Sequence, residues 1–152
     1  MKKFLFLATF ISLMFSEVTA QVEYMVVTSV ESIVPNGLGR SRLISANVSR
    51  DYDEFTSERS SDKDEDKRNK SKRSDIRVKD FEETKLLNFY NLGGIRFQNI
   101  VANDAVVTSK LNAMAEDGWE LAFVSSSSES DAGKGDGQGI FVTRYIFKRN
   151  KQ

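Results

Sequence analysis

An α+β fold, a small antiparallel sheet with one main helix packed on one face, is what three features of this sequence predict. Residues 104–117 carry a helical apolar stripe that stops at Gly118-Trp119. A period-two alternation takes over at once and returns near the C-terminal end. A stretch rich in β-branched and aromatic residues opens the chain after an apolar leader. The order expected is strand, insertion, helix, strand, strand, in a single domain over residues 21–152.

The leader combines Lys2-Lys3, an apolar run over residues 4–15, and Val18-Thr19-Ala20, which ends in the small residues a signal peptidase requires. Residues 1–20 are therefore expected to be a signal peptide cut between Ala20 and Gln21, with the mature protein secreted or periplasmic. The apolar run is shorter than the ~20 residues that span a bilayer, and no other segment comes close, so no membrane span is expected. There is no cysteine, hence neither a disulfide nor a lipid-modified cysteine behind the leader. Without Lys2, Lys3 and Glu17 the chain has 20 basic and 21 acidic residues, a net of −1. That balance provides no general attraction for nucleic acid or anionic membrane, and no specific nucleic-acid partner is expected.

Residues 23–30 read as the first strand, closed by the only proline at Pro35-Asn36-Gly37. Tyr24, Val26, Thr28 and Val30 make one face and Met25 and Val27 the other, so both sides look at least partly covered and a central place in the sheet is expected. Residues 40–48 alternate weakly, with Arg42, Ile44, Ala46 and Val48 on one side, as an edge-like second strand. Residues 56–75 contain no apolar side chain with which to offset the entropy of ordering, and read as a charged, disordered insertion. Pairs such as Asp64 with Arg68 and Asp66 with Lys70 support at most a transient, solvated helix there. Residues 76–100 are too apolar for a linker and are expected to pack on the sheet as a strand with an irregular return to Asn103. Strand and helix remain alternatives for them.

In the helix, Val107, Leu111 and Met114 share one stripe while Ser109, Asn112 and Glu116 fall opposite. Asn103 or Asp104 can cap its first turn, and Gly118 can take the left-handed conformation that ends it. Trp119 then folds back over Met114 as a structural anchor. Beyond it, Trp119, Leu121 and Phe123 alternate with Glu120, Ala122 and Val124. In residues 140–149, Phe141, Thr143, Tyr145 and Phe147 alternate with Val142, Arg144, Ile146 and Lys148, the aromatic face pointing at the helix. Residues 125–139 between them read as a long hairpin connection.

Three pieces together resemble a small, uncharacterised bacterial family, domain of unknown function 4177, with a large insertion. They are Glu23-Tyr24-Met25-Val26-Val27, the block from Leu111-Asn112 through Gly118-Trp119-Glu120-Leu121, and Tyr145-Ile146-Phe147-Lys148-Arg149. The resemblance implies a strand, a helix and a following antiparallel pair of strands. It does not extend over residues 35–98, and it brings no activity and no functional residues.

With neither histidine nor cysteine, the commonest general base, the thiol nucleophile and the ordinary zinc site are missing. Glu120 shares a face with Arg144 and Lys148, and a cross-strand ion pair accounts for it better than catalysis does. The run Ser125-Ser126-Ser127-Ser128 has no base beside it. Gly133, Gly135, Gly137 and Gly139 lead into a strand and not into a helix N-terminus, which argues against a phosphate loop. Glu129, Asp131 and Asp136 match no calcium loop. The basic run of residues 67–73 has no interleaved aromatic and reads as a solvated charge run. No catalytic residue, cofactor or metal is therefore expected.

The sheet face away from the helix should carry Ala122, Val124, Val142 and Ile146 among Glu120, Arg144 and Lys148. Residues 76–100 are the foremost candidate to cover it; a second subunit or a partner protein is the other. Glu120, Arg144, Tyr145 and Lys148 form the candidate interaction face. The function expected is a secreted or periplasmic non-catalytic binding module for a protein, an envelope polymer or itself as a homo-oligomer. The alternatives are an envelope-polymer hydrolase working through carboxylates such as Glu120 or Asp104, and a self-assembling structural subunit.

Overall fold

The computed structural model describes residues 21–33, 40–59, 69–91, 93–129 and 139–151. The leader, the turn at Pro35-Asn36-Gly37, the pairs built on Asp64 and Asp66, and the glycine-rich residues 133–138 lie outside the described residues. The longest alternating stretches form the longest strands: β1 (Val22–Ser32), β6 (Glu120–Glu129) and β7 (Ile140–Asn150). Two shorter strands, β2 (Arg42–Ala46) and β3 (Phe81–Lys85), flank the charged stretch and join the same sheet. A minimal hairpin, β4 (Tyr90–Asn91) with β5 (Gly94–Ile95), precedes the main helix, α1 (Phe97–Glu116).

The sheet has five strands in the order β3-β2-β1-β7-β6, and every neighbouring pair is antiparallel. The α+β expectation holds, with β1 in the centre. The edge-like second strand is corrected: β2 lies between β1 and β3, and β3 is the edge. The pattern of residues 40–48 is weak because β2 is short and pairs on both sides through few residues, so its polar ends dilute the alternation.

Helix α1 lies against one face. Val27, Leu43, Leu86, Met114, Trp119 and Phe147 are buried there, with Met25, Val106, Val107, Leu111 and Tyr145 packed around them. The stripe Val107, Leu111, Met114 thus faces the sheet. The helix ends as its sequence indicates: Gly118 has φ 81°, its N–H donates to the Ala115 carbonyl, and Trp119 N–H donates to the Met114 carbonyl at 2.9 Å. That 6→1 bond directs the Trp119 ring under the last turn. The Arg149 guanidinium then lies 4.2 Å from the Trp119 ring centroid and donates to the Asp117 carbonyl at the negative end of the helix.

The helix start is a correction. It begins at Phe97, after Arg96 with no side-chain cap, so neither Asn103 nor Asp104 is the N-cap. Asn103 sits inside the helix, 2% exposed, and its amide is used elsewhere. Its Oδ1 accepts from Leu87 N–H, and its Nδ2 donates to the Leu87 carbonyl and to Glu31 Oε1, each at 2.8 Å. A residue that caps helices by satisfying stray backbone groups here satisfies those of the neighbouring segment.

The same segment is tied down from Ser41, the residue before β2. Ser41 Oγ donates to Asn88 Oδ1 at 2.8 Å and accepts from Ser32 N–H at 2.9 Å, while Asn99 Nδ2 donates to the Asn88 carbonyl at 2.7 Å. Residues 76–100 therefore resolve into an edge strand, an irregular return and the first turn of α1. In the described flanks of the charged insertion, Asn69 and Ser71 donate to the Glu54 carbonyl, which closes the base of that excursion.

Strand β6 brings two further corrections. Residues 125–129 belong to the strand and not to a connection: Ser125 to Ser128 pair with Arg144 to Phe141, and Ser126 and Thr143 share a hydroxyl hydrogen bond at 2.9 Å. A bulge between Leu121 and Phe123 also breaks the strict alternation, so Leu121 lies opposite Phe147 while Phe123 lies opposite Ile146 on the other face. Strand period alone cannot reveal an extra residue.

Trp119 is 7% exposed and joins the helix end, the sheet and Arg149. Replacing Trp119 with Ala is expected to cost roughly 3–5 kcal/mol, a large share of the roughly 5–15 kcal/mol a domain has. Urea unfolding monitored by circular dichroism measures it, and a loss below about 1 kcal/mol would contradict this role.

Candidate functional site

The pleat sends alternate residues to opposite sides, so the face away from α1 can be read row by row from the register. One row crosses all five strands: Phe81 pairs with Ala46, Val26 with Ile146, and Ile146 with Phe123, and Ala46 and Val26 continue the β2–β1 alternation. Every member is apolar. Phe81, Val26 and Phe123 are 46%, 44% and 62% exposed, a load of apolar surface that a solvated sheet face ordinarily replaces with polar residues.

The flanking rows are mixed. On one side Tyr24 pairs with Lys148 and Lys148 with Glu120, whose carboxylate lies 3.5 Å from Lys148 Nζ. On the other run Glu83, Ile44, Thr28, Arg144 and Ser125. Arg42 Nε donates to Glu83 Oε1 at 2.7 Å at the β3 margin of this face. Beside Val26 and Ile44 the surface dips into an apolar depression completed by Phe81, Ala46 and Val78.

Of the candidate interaction residues, the structure brings Glu120, Arg144 and Lys148 together on this face. Tyr145 is a correction: it points to the helix side, packed against the core, because it alternates with Arg144 and Ile146. Val124 is displaced likewise, since the bulge puts it opposite Tyr145. The expected cover is also corrected. Leu86 is buried in the helix-side core, and the Phe89 ring meets Phe141 on that side at 5.9 Å between centroids. Residues 86–89 are drawn there by Ser41 and Asn103, and of residues 76–80 Val78 lines the open face. The sequence did carry the Tyr24–Val30 and Arg42–Val48 alternations. What it lacked was the β2–β3 pairing that adds Phe81 and the bulge that adds Phe123.

A second group of polar side chains lies on the helix side. Glu31 receives the Asn103 amide, and burial pushes its carboxyl above the ordinary range, more than that hydrogen bond lowers it, with the Asp104 charge adding to the rise. Tyr145 is also raised, first by burial, against a contact with the buried Ser29 hydroxyl that lowers it; Glu31 and Asp104 raise it further. Glu31 is thus committed to holding Asn103. Among the described residues no three acidic side chains are grouped to hold a metal ion. At the sheet margin Lys110 on α1 binds Glu82 on β3 at 2.7 Å and, through that hydrogen bond and its charge, lowers the Glu82 carboxyl.

Because the Glu31 carboxyl is raised in the fold, its contribution to stability is full below about 4.5 and is lost as pH rises through the raised value. Glu31→Gln keeps an acceptor for Asn103 and removes that loss. The melting temperature of the variant relative to the wild type is therefore expected to climb between about pH 4 and 8. A difference that stays flat across that range would contradict the assignment. Compared with models of known protein families, with curated protein sequences and with solved structures, the chain finds no match.

Proposed function

We propose that this chain is an exported, non-catalytic binding module whose working surface is the open face of the five-stranded sheet. The observation that carries the reading is the unbroken apolar row from Phe81 through Val26 to Phe123. A one-layer sheet with a helix on one side buries that side only, and exposed apolar surface of this extent favours a macromolecular partner over water. The Tyr24, Lys148 and Glu120 row supplies a polar rim of the kind that surrounds interface cores. Export rests on residues 1–20, with cleavage between Ala20 and Gln21. Among the described residues no helix is long and apolar enough to cross a membrane. A relation to domain of unknown function 4177 through the Gly118-Trp119-Glu120-Leu121 block belongs to the same proposal and adds no activity.

A hydrolase of envelope polymers is less well supported. The Glu120 side chain is 73% exposed beside Lys148 on an edge strand, where nothing excludes water from it. Asp104 lies on the exposed outer part of α1 near Glu31, which is occupied by Asn103.

Two measurements test the proposal. Mass spectrometry of the exported chain is expected to find Gln21 as the first residue, and an uncut leader would remove the basis for export. A photo-crosslinking amino acid placed at Phe123 in producing cells is expected to form a covalent adduct, whereas one at Thr108, exposed on the helix, is not. Absence of any Phe123 adduct would refute the open face as the working surface.

A further inference from the structure

We infer that the partner on the open face is a second copy of this chain, packed sheet against sheet about a two-fold axis parallel to the strands. The inference rests on the open-face reading above and names its partner.

The sheet order is odd, with β1 in the middle, so such an axis over β1 sets β3 against β6 and β2 against β7 of the other copy. Within the apolar row this places Phe81 against Phe123, Ala46 against Ile146, and Val26 against itself. The small residue meets the large one, and an aromatic pair closes each rim, the arrangement that lets two sheets interdigitate about 10 Å apart. Sheets packed this way cross at about 30°, which keeps the central oppositions and slides the rim pair by about 5 Å, still within the reach of two phenylalanine side chains. In the next row Arg144 falls over Ile44, one strand away from Glu83, so the dyad forms two Arg144–Glu83 contacts between copies. Glu83 already receives Arg42 and would then sit between two guanidinium groups. Within one copy Arg144 stands between Thr28 and Ser125 in its row.

The area is sufficient for a small interface. The dyad overlaps the 5 residues of β3 with β6, the 5 of β2 with β7 and the 11 of β1 with themselves, which at ~3.4 Å per residue and ~4.8 Å between strands gives on the order of 500 Å² of face per copy, close to the ~600 Å² per partner at the lower end of specific interfaces.

The test is light scattering on the purified chain beginning at Gln21, which contains every described residue, across a wide concentration range. A mass of two chains is expected. The double variant Phe81→Ser with Phe123→Ser, both exposed positions, is expected to run as one chain with an unchanged circular dichroism spectrum. Arg144→Glu and Glu83→Arg are each expected to weaken the dimer at least about tenfold, and the combination Arg144→Glu with Glu83→Arg to restore it. A single-chain mass at every concentration, or a dimer indifferent to all these substitutions, would overturn the inference. The Phe123 crosslink then separates the two levels. An adduct to another molecule leaves the open-face reading standing with a different partner, and no adduct removes both.

Discussion

Asn103 makes three hydrogen bonds from the middle of a helix, and by doing so it sets where that helix lies over the sheet. Its amide closes a two-bond ring with Leu87 and reaches Glu31 on the central strand, so α1, the return segment and β1 meet at one side chain. A buried amide is costly unless every donor and acceptor finds a partner at good geometry. That requirement admits one position of the helix, where a purely apolar contact would tolerate sliding. The anchor at the other end, Trp119 between the Schellman turn and Arg149, fixes the second point needed to define the helix axis.

With the helix fixed by Asn103 and Trp119, the division of the sheet into two unlike faces follows. Polar atoms of residues 86–88 are drawn to the helix side, and Leu86 follows them into the core. The other face keeps its apolar row. The two sheet edges are also unlike. The five residues of β3 include Glu82, Glu83 and Lys85, two of them engaged in ion pairs, which discourages further strand addition. The ten residues of β6 carry charges only at their ends, and all are exposed.

The sequence revealed those elements whose signals are local. Gly118 announces its own conformation, the stripe Val107, Leu111, Met114 announces the buried side of α1, and the Phe141–Phe147 alternation announces which side of β7 meets it. The features it concealed depend on partners far away in the chain. Asn103 resembles a cap because the same amide chemistry serves both uses, and only the proximity of Leu87 and Glu31 distinguishes them. The apolar row of the open face is equally non-local: its five members come from five strands, and no window of the sequence contains more than one or two of them. Phe81 has polar neighbours along the chain and apolar ones only across it.

The bulge in β6 has an arithmetic consequence. Membership of a strand's face is decided by counting residues as odd or even, and the extra residue between Leu121 and Phe123 resets that count near the start of the strand. Before it, Leu121 points to the helix side; after it, the same parity would have turned Phe123 to that side too, leaving the outer row one aromatic short. The composition of the outer surface is thus governed by chain length at a single point. A strand that kept Ala122 in regular pairing would set Ala122 opposite Ile146 and turn Phe123 inward, whereas deleting Ala122 would remove the bulge and leave Phe123 where it is, a change of phase that no substitution can imitate.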